Sequence, residues 1–270
     1  MLKSFAGGRV FGAAWGPGVP TVLALHGWQR THLDFSPVFD GAPPGDRLSA
    51  IGLDLFGFGA TPPPPEPWGT DEYARQLLPL FEEPGTLSDR IVVVGHSFGG
   101  RVAVRLCGLV PERIERMVLT GVPLLDRQGG RPRPAAAYRL VRSLHRMGLL
   151  GDARLEAVRN KYGSPDYRAA QGVMRGVFVK ILAEQYGDEL ASIGCPVDLV
   201  WGDEDTEVPV EVAVRAQRLF PSATLATLPG VGHLMPTEAP AQLREVIVGR
   251  TVSGLGTPPG VIDDPAGDAP

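Results

Sequence analysis

The chain is short of the residues that define several protein classes. Two cysteines in 270 residues, Cys107 and Cys195, are too few for a disulfide framework or a zinc site. No apolar run approaches the ~18 residues that a membrane-crossing helix needs. The segment Met1–Arg9 lacks the ~7–15-residue apolar core of a secretory signal. Positive charge is in slight deficit, 26 Lys and Arg against 30 Asp and Glu, for a net charge of −4. With a pI of about 5.8, no global basic field recruits nucleic acid. A hydrophobic share of 43% and a mean hydropathy of +0.02 exclude wholesale disorder. The expectation is a soluble, cytoplasmic chain of enzyme size. At roughly 100–200 residues per domain it is one large domain, or one domain carrying an insertion.

What the chain has in excess is glycine (35) and proline (27), the punctuation of many loops and tight turns. Between them, short apolar runs alternate with helical patterns, which predicts an α/β architecture, a mostly parallel sheet flanked by helices. The predicted strands are Arg9–Trp15, Thr21–Leu25, Leu48–Leu53, Arg90–Val94, Met117–Thr120, Val197–Trp201 and Ala223–Thr227. Predicted helices cover Asp71–Phe81, Phe98–Leu109, Val210–Leu219 and Ala239–Val248, the second stopped by Pro111. Ile91-Val-Val-Val94 is apolar on both faces, as a buried parallel strand must be. From Leu124 to Ala191 the patterning is helical with no strand-like run, far longer than an ordinary loop. The predicted organisation is therefore core over 1–123, a helical insertion over 124–194, core again over 195–250, and a disordered Gly-, Pro- and Asp-rich tail over 251–270.

The strongest chemical signal is Gly95-His96-Ser97-Phe98-Gly99-Gly100, placed between a valine-rich strand and a helix. A sharp strand-to-helix turn leaves little room for side chains two residues either side of its apex, so glycines flank it. Ser97 then projects at the strand's end, with a helix N-terminus behind it to favour developing negative charge. A serine needs a base to become nucleophilic. Of five histidines, His233 sits in a turn after the last predicted strand, at the sheet end where Ser97 belongs. His26 and His96 read as structural, His145 as a helix residue of the insertion, and His32 as a candidate pocket residue. The base in turn needs a carboxylate to hold its tautomer. The segment Gly202-Asp203-Glu204-Asp205-Thr206-Glu207 offers four acids, and the order Ser97, Asp205, His233 matches one of the three known triad orders.

These residues, with Leu25-His26-Gly27-Trp28 and Asp54-Leu-Phe-Gly-Phe-Gly-Ala-Thr61, make the chain resemble the α/β-hydrolase fold family, in its serine-nucleophile branch with a helical cap. The resemblance spans roughly Arg9 to Arg250, and it implies that the backbone N–H groups of Trp28 and Phe98 form an oxyanion hole. The family's Gly-x-x-Asp places the acid at Asp205 rather than Asp203, while some relatives would take it from Asp126. Ser97 stands where epoxide hydrolases and haloalkane dehalogenases carry Asp, and where dienelactone hydrolases carry Cys. Left open are hydrolysis of a small ester, thioester or lactone, carbon–carbon bond hydrolysis, lyase or cofactor-free haloperoxidase chemistry, and a non-catalytic binding protein. The implied mechanism requires no cofactor and no metal.

Two features bear on the substrate. Residues 124–191 carry twelve Lys and Arg against seven Asp and Glu, a basic insertion on an acidic body. Arg139, Arg142 and Arg146 share one face of a helix predicted from Ala135, which leaves three readings open. They are a solvated face, recognition of an anionic acyl substrate by Arg139 and Arg142, and contact with an anionic membrane surface. Trp28, Phe58 and Phe98 are candidate floor residues of an apolar pocket, with core packing as the competing account. Oligomeric state is not legible in the sequence.

Overall fold

The computed structural model describes residues 1–41, 48–126, 141, 143–151, 153–155, 157–158 and 165–249. Its centre is an eight-stranded sheet among the described residues. The strands are β1 (Lys3–Phe5), β2 (Val10–Trp15), β3 (Val22–Leu25), β4 (Ala50–Asp54), β5 (Ile91–His96), β6 (Ile114–Thr120), β7 (Val197–Gly202) and β8 (Ala223–Leu228), in the spatial order β1-β2-β4-β3-β5-β6-β7-β8. β3 to β8 pair in parallel, and β2 runs antiparallel to both β1 and β4. All seven sequence-predicted strands are present, displaced by no more than three residues at any end.

The differences have local causes. β1 has only three residues, mostly exposed, so it shows no hydrophobic period and was not predicted. The predicted Asp71–Phe81 helix is two pieces, Thr70–Gln76 and Pro79–Glu82. Pro79 has no N–H to give and its ring clashes with the turn before it, and the chain passes the break through shorter bonds from Leu77 and Leu78 to Ala74 and Arg75. The predicted tail over 251–270 lies outside the described residues, as does most of the predicted helix from Ala135.

Register aligns the strand ends that matter. Leu25 faces Gly95, His96 faces Thr120, and Gly202 faces Leu228, so the turns after β3, β5, β6, β7 and β8 leave the sheet at one edge. β3 is also where strand order reverses, with β4 on one side and β5 on the other. The crevice beyond the carboxyl ends at such a reversal is where open α/β sheets bind ligands.

Two apolar cores hold the sheet, one on each face. One packs the Phe98–Leu109 helix and the Thr70–Gln76 helix over Leu23, Leu25, Val93 and Leu119. The other packs Phe35, Phe39, Leu243 and Ile247 over Val22, Ala24, Val94 and Val200. Between β6 and β7, helices at Pro165–Ala169, Val173–Leu182 and Gly187–Ser192 are described, and no strand. They are tied to the core by buried polar bonds. Arg101 donates to the carbonyls of Pro123 (2.9 Å) and Ile181 (2.7 Å), and Thr70 donates through its backbone to Glu184 (2.8 Å). Among the described residues no helix is long and apolar enough to cross a membrane.

Candidate active site

β5 ends at His96, and the Phe98–Leu109 helix begins two residues later, with Ser97 alone making the turn. Ser97 sits at φ 50°, ψ −112°, a left-handed conformation costly for a residue with a Cβ. The surroundings enforce it. Ser97 donates its N–H to Thr120 O (2.9 Å), and its own carbonyl accepts from Gly100 (3.1 Å). The flanking glycines are steric requirements: a Cβ on Gly95 would overlap the Gly100 backbone, and one on Gly99 would overlap the carbonyl of Leu25. Replacing Gly99 by alanine is therefore expected to destabilise the protein by roughly 1–3 kcal/mol or more, since the obstruction is rigid backbone. An unchanged melting temperature in Gly99→Ala would show that the helix can back away from β3.

The loop after β3 crosses directly over this turn. A Cβ on Gly27 would stand 3.0 Å from Cδ2 of His96 and 3.4 Å from the Ser97 Cβ, so a side chain at 27 would crowd the His96 ring where the two loops meet. His26 supports that crossing. Its Nδ1 donates to Gly27 O (2.7 Å) and its Nε2 accepts from Leu55 N–H (2.9 Å), which uses both nitrogens of a neutral ring. His96 is equally buried, and its Nδ1 donates to Thr120 O (3.1 Å). Burial pushes the pKa of His26 down to about 4 and that of His96 to about 3.

Those depressed values set the acid sensitivity of the fold. A histidine neutral in the folded state and ordinary, near 6.5, in the unfolded state gives a stability that is complete above pH 6.5. It is lost as pH falls toward the folded-state value. At ~1.4 kcal/mol per unit, His26 alone forfeits about 3 kcal/mol by pH 4. The urea midpoint is expected to fall steeply between about pH 6.5 and pH 4. A midpoint that is flat over that interval would show that both rings accept a proton in place.

On the other side of Ser97, the turn after β8 carries His233, whose ring lies 4.9 Å from the ring of His96. Gly121, at φ 59°, makes space for it, since a Cβ there would stand 2.9 Å from His233 Nδ1. His233 Nδ1 is 2.8 Å from Asp205 Oδ2, and Asp205 is 5% exposed. The other oxygen of Asp205 accepts from the backbone N–H groups of Glu207 (2.9 Å) and Val208 (2.7 Å), so the carboxylate is held at both ends. Asp203 is used elsewhere, accepting from Gly230 N–H at 2.7 Å. Asp126 is recorded through its carbonyl, which accepts from Arg215. Burial works against a charge on His233, but the bond to Asp205 and the nearby carboxylates of Asp205, Glu207 and Glu238 outweigh it and raise its pKa above 6.5. The structure thus brings Asp205 and His233 together and turns Asp203 away.

Trp28, Phe58 and Phe98 also meet. Trp28 packs edge-on against Phe58 (4.9 Å between centroids) and Phe98 (5.6 Å), and these two rings touch each other at 6.1 Å. Phe58 and Phe98 are almost fully buried, as core residues would be. The indole Nε1 of Trp28 is buried without a hydrogen-bond partner. His32, the pocket candidate, instead binds Asp54 through both its ring Nδ1 (2.7 Å) and its backbone N–H (2.9 Å), tying the loops after β3 and β4. Arg139 and Arg142 lie outside the described residues, and Arg146 is exposed.

Three neighbours were not singled out by sequence reasoning, although Glu207 was one of the four acids in the cluster after β7. Phe178, from the Val173–Leu182 helix, lies 5.0 Å from Trp28, but its spacing reads as one more core position of an amphipathic helix. Glu207 places Oε2 at 3.5 Å from His233 Nε2, and Glu238 accepts from the N–H groups on both sides of His233, at Gly232 (2.6 Å) and Leu234 (3.0 Å). Acids in turns most often cap helices, so Glu238 went unmarked and Glu207 was not separated from its neighbours in the acidic cluster.

Comparison with known proteins finds likeness along most of the chain. A family model described as "Alpha/beta hydrolase family" matches residues 22–246. The uncharacterized hydrolase YugF of Bacillus subtilis (strain 168) is 24% identical over 265 residues, covering 86% of this chain and 89% of its own. The 2-hydroxy-6-oxononadienedioate/2-hydroxy-6-oxononatrienedioate hydrolase of Paraburkholderia xenovorans (strain LB400) is 24% identical over 260 residues, covering 86% and 87%. Among solved structures, a thermophilic esterase from Thermogutta terrifontis superposes with a TM-score of 0.64 at 23% identity, over 90% of this chain and 93% of that one, a likeness of fold.

Proposed function

The chain belongs to the alpha/beta hydrolase family and is a hydrolase enzyme, and on that premise we propose that it cleaves a small ester, thioester or lactone through a Ser97–His233–Asp205 triad and an acyl-enzyme. The observation that carries this reading is the pairing of a serine at φ 50° on a strand-to-helix turn with a buried carboxylate–imidazole couple packed against the preceding residue.

In this reading Asp205 accepts the Nδ1 proton of His233, which leaves Nε2 with a lone pair for the Ser97 hydroxyl. Ser97 Oγ attacks the acyl carbonyl as that proton moves to Nε2. The N–H groups of Trp28 and Phe98 receive the oxyanion, each such donor contributing about 3–4 kcal/mol in comparable sites. His233 then protonates the leaving group and later draws a proton from water to free the acid. Trp28, Phe58 and Phe98 form the apolar wall of the acyl site. The described helices of the 124–194 insertion act as a cap over the site, a reading supported by the ring of Phe178 against Trp28. Ser97 favours acyl transfer over the alkyl-enzyme chemistry that an aspartate would perform.

A fluorophosphonate probe should label the native enzyme in a time-dependent manner, on the peptide bearing Ser97, with no label in Ser97→Ala. A panel of p-nitrophenyl esters, thioesters, lactones and carbon–carbon cleavage substrates would then rank the acyl chemistries. Absence of labelling would favour a binding protein that keeps the fold without the chemistry. The pH profile is a second check. His233 must be neutral to accept the serine proton and its pKa is raised, so kcat/KM should fall as pH drops through a value above 6.5. An acid limb lying below about pH 6 would detach His233 from the role of base.

A further inference from the structure

The two cysteines, 88 positions apart in sequence, meet in the folded chain with Sγ atoms 3.6 Å apart. Cys107 lies in the last turn of the helix that starts behind Ser97, and Cys195 stands two residues before β7, the strand that leads to Asp205. Both are free thiols, both are buried, and neither has a part in the hydrolytic site. We propose that Cys107 and Cys195 are an oxidisable dithiol that forms an intramolecular disulfide on reaction with a small hydroperoxide.

Geometry favours this pair in three ways. The sulfurs are already close, so closure to the S–S bond length of about 2.05 Å calls chiefly for side-chain movement. Their elements are anchored, since Met117 N–H donates to Pro196 O (3.0 Å) beside Cys195 and the Phe98–Leu109 helix is packed into the core. Each cysteine also adjoins a glycine facing open space, because a Cβ on Gly108 or Gly194 would meet nothing within 4 Å. Both glycines are exposed, so each buried cysteine lies one residue from the surface along the chain.

The two thiols are chemically unequal. The hydrogen bond to Cys195 and burial push the Cys107 thiol up, whereas Cys195, accepting that bond, is held below the ordinary thiol value. Cys195 is thus the more acidic of the two thiols and the first to attack. Its sulfur attacks a peroxide oxygen: an S–O bond forms, the O–O bond breaks, and the departing hydroxide leaves as water after taking a proton. Cys107 then attacks Cys195 Sγ, an S–S bond forms, the S–O bond breaks, and the Cys107 proton leaves with the hydroxide as a second water. Two thiols are oxidised by two electrons and one hydrogen peroxide is reduced to two waters. The bridge spans the whole insertion, joining the chain before it to the chain after it, so it should raise Tm while leaving Ser97 and His233 untouched.

The test exposes the native full-length protein to a small excess of hydrogen peroxide, then denatures and alkylates it without reductant. The expected product is a monomer lighter by two hydrogens, resistant to alkylation, reversed by dithiothreitol and containing a Cys107–Cys195 cross-linked peptide. It should also melt at a higher temperature than the reduced form. In Cys107→Ser the reaction should stop at a sulfenic acid on Cys195 that dimedone traps, and neither single variant should form the intramolecular bridge. Two alkylatable thiols after peroxide, or a bridge formed only between molecules, would overturn the proposal. So would a Cys107→Ser protein that dimedone does not label. The readout is chemical, so it stands or fails independently of hydrolytic activity.

Discussion

Ser97→Ala and His233→Ala are each expected to lower kcat by about 10⁴-fold or more, with the fold intact. The expectation follows from the unity of the site. His233 is held by Asp205 at 2.8 Å, as the proposed general base would be. Ser97 occupies a strained, positive-φ conformation at the turn from β5 into the Phe98–Leu109 helix. Alanine at 97 keeps a Cβ in the same turn, so the backbone bonds to Thr120 and Gly100 survive. Because nucleophile and base act in one step, the double variant should be scarcely slower than either single one. Steady-state rates on the best ester of the panel, with melting curves to verify folding, measure this. A Ser97→Ala enzyme that keeps a large fraction of its activity would place the nucleophile elsewhere.

Asp205→Asn should cost about 10³–10⁴-fold in kcat, while Asp203→Asn and Asp126→Asn stay close to the wild type. Both oxygens of Asp205 are committed, one to His233 Nδ1 and one to the N–H groups of Glu207 and Val208. An asparagine has only one acceptor oxygen. Kept on the two backbone donors, it turns its NH₂ toward Nδ1 and forces the imidazole proton onto Nε2, which then cannot accept the serine proton. Turned the other way, it sets an NH₂ against two N–H groups. Asp203 serves one N–H, of Gly230, at an exposed turn, so its replacement touches stability slightly and the base not at all. Equal losses in Asp203→Asn and Asp205→Asn would mean that the whole turn, rather than one carboxylate, supports catalysis. Collapse in Asp126→Asn alone would move the acid to the end of β6.

The chain displayed its strands because a doubly covered parallel sheet needs continuous apolar runs, and Ile91–Val94 or Val22–Leu25 can be little else. It displayed the turn at Ser97 because glycines at 95 and 99 are steric necessities written one residue at a time. The Phe98–Leu109 helix was read to its last residue for the same reason, with Pro111 closing it. Local rules also gave the chain order of the candidate triad and picked His233 from five histidines by its place after the last strand.

What the tertiary structure decided was every choice between chemically equal residues. Asp203 and Asp205 differ by two positions, and only the pairing of β7 with β8 and the turn that follows set one against an imidazole and the other against Gly230. His26 and His96 differ from His233 through burial and partners brought from Leu55 and Thr120, distant in sequence. Phe178 reaches back to Trp28 in the loop after β3, and Cys107 reaches Cys195 across most of the chain between β5 and β7. Periodicity and turn chemistry act over a few residues and are therefore legible in order along the sequence. Proximity between remote side chains depends on sheet register and helix packing, which the whole chain determines together, and so it could be read only from the fold.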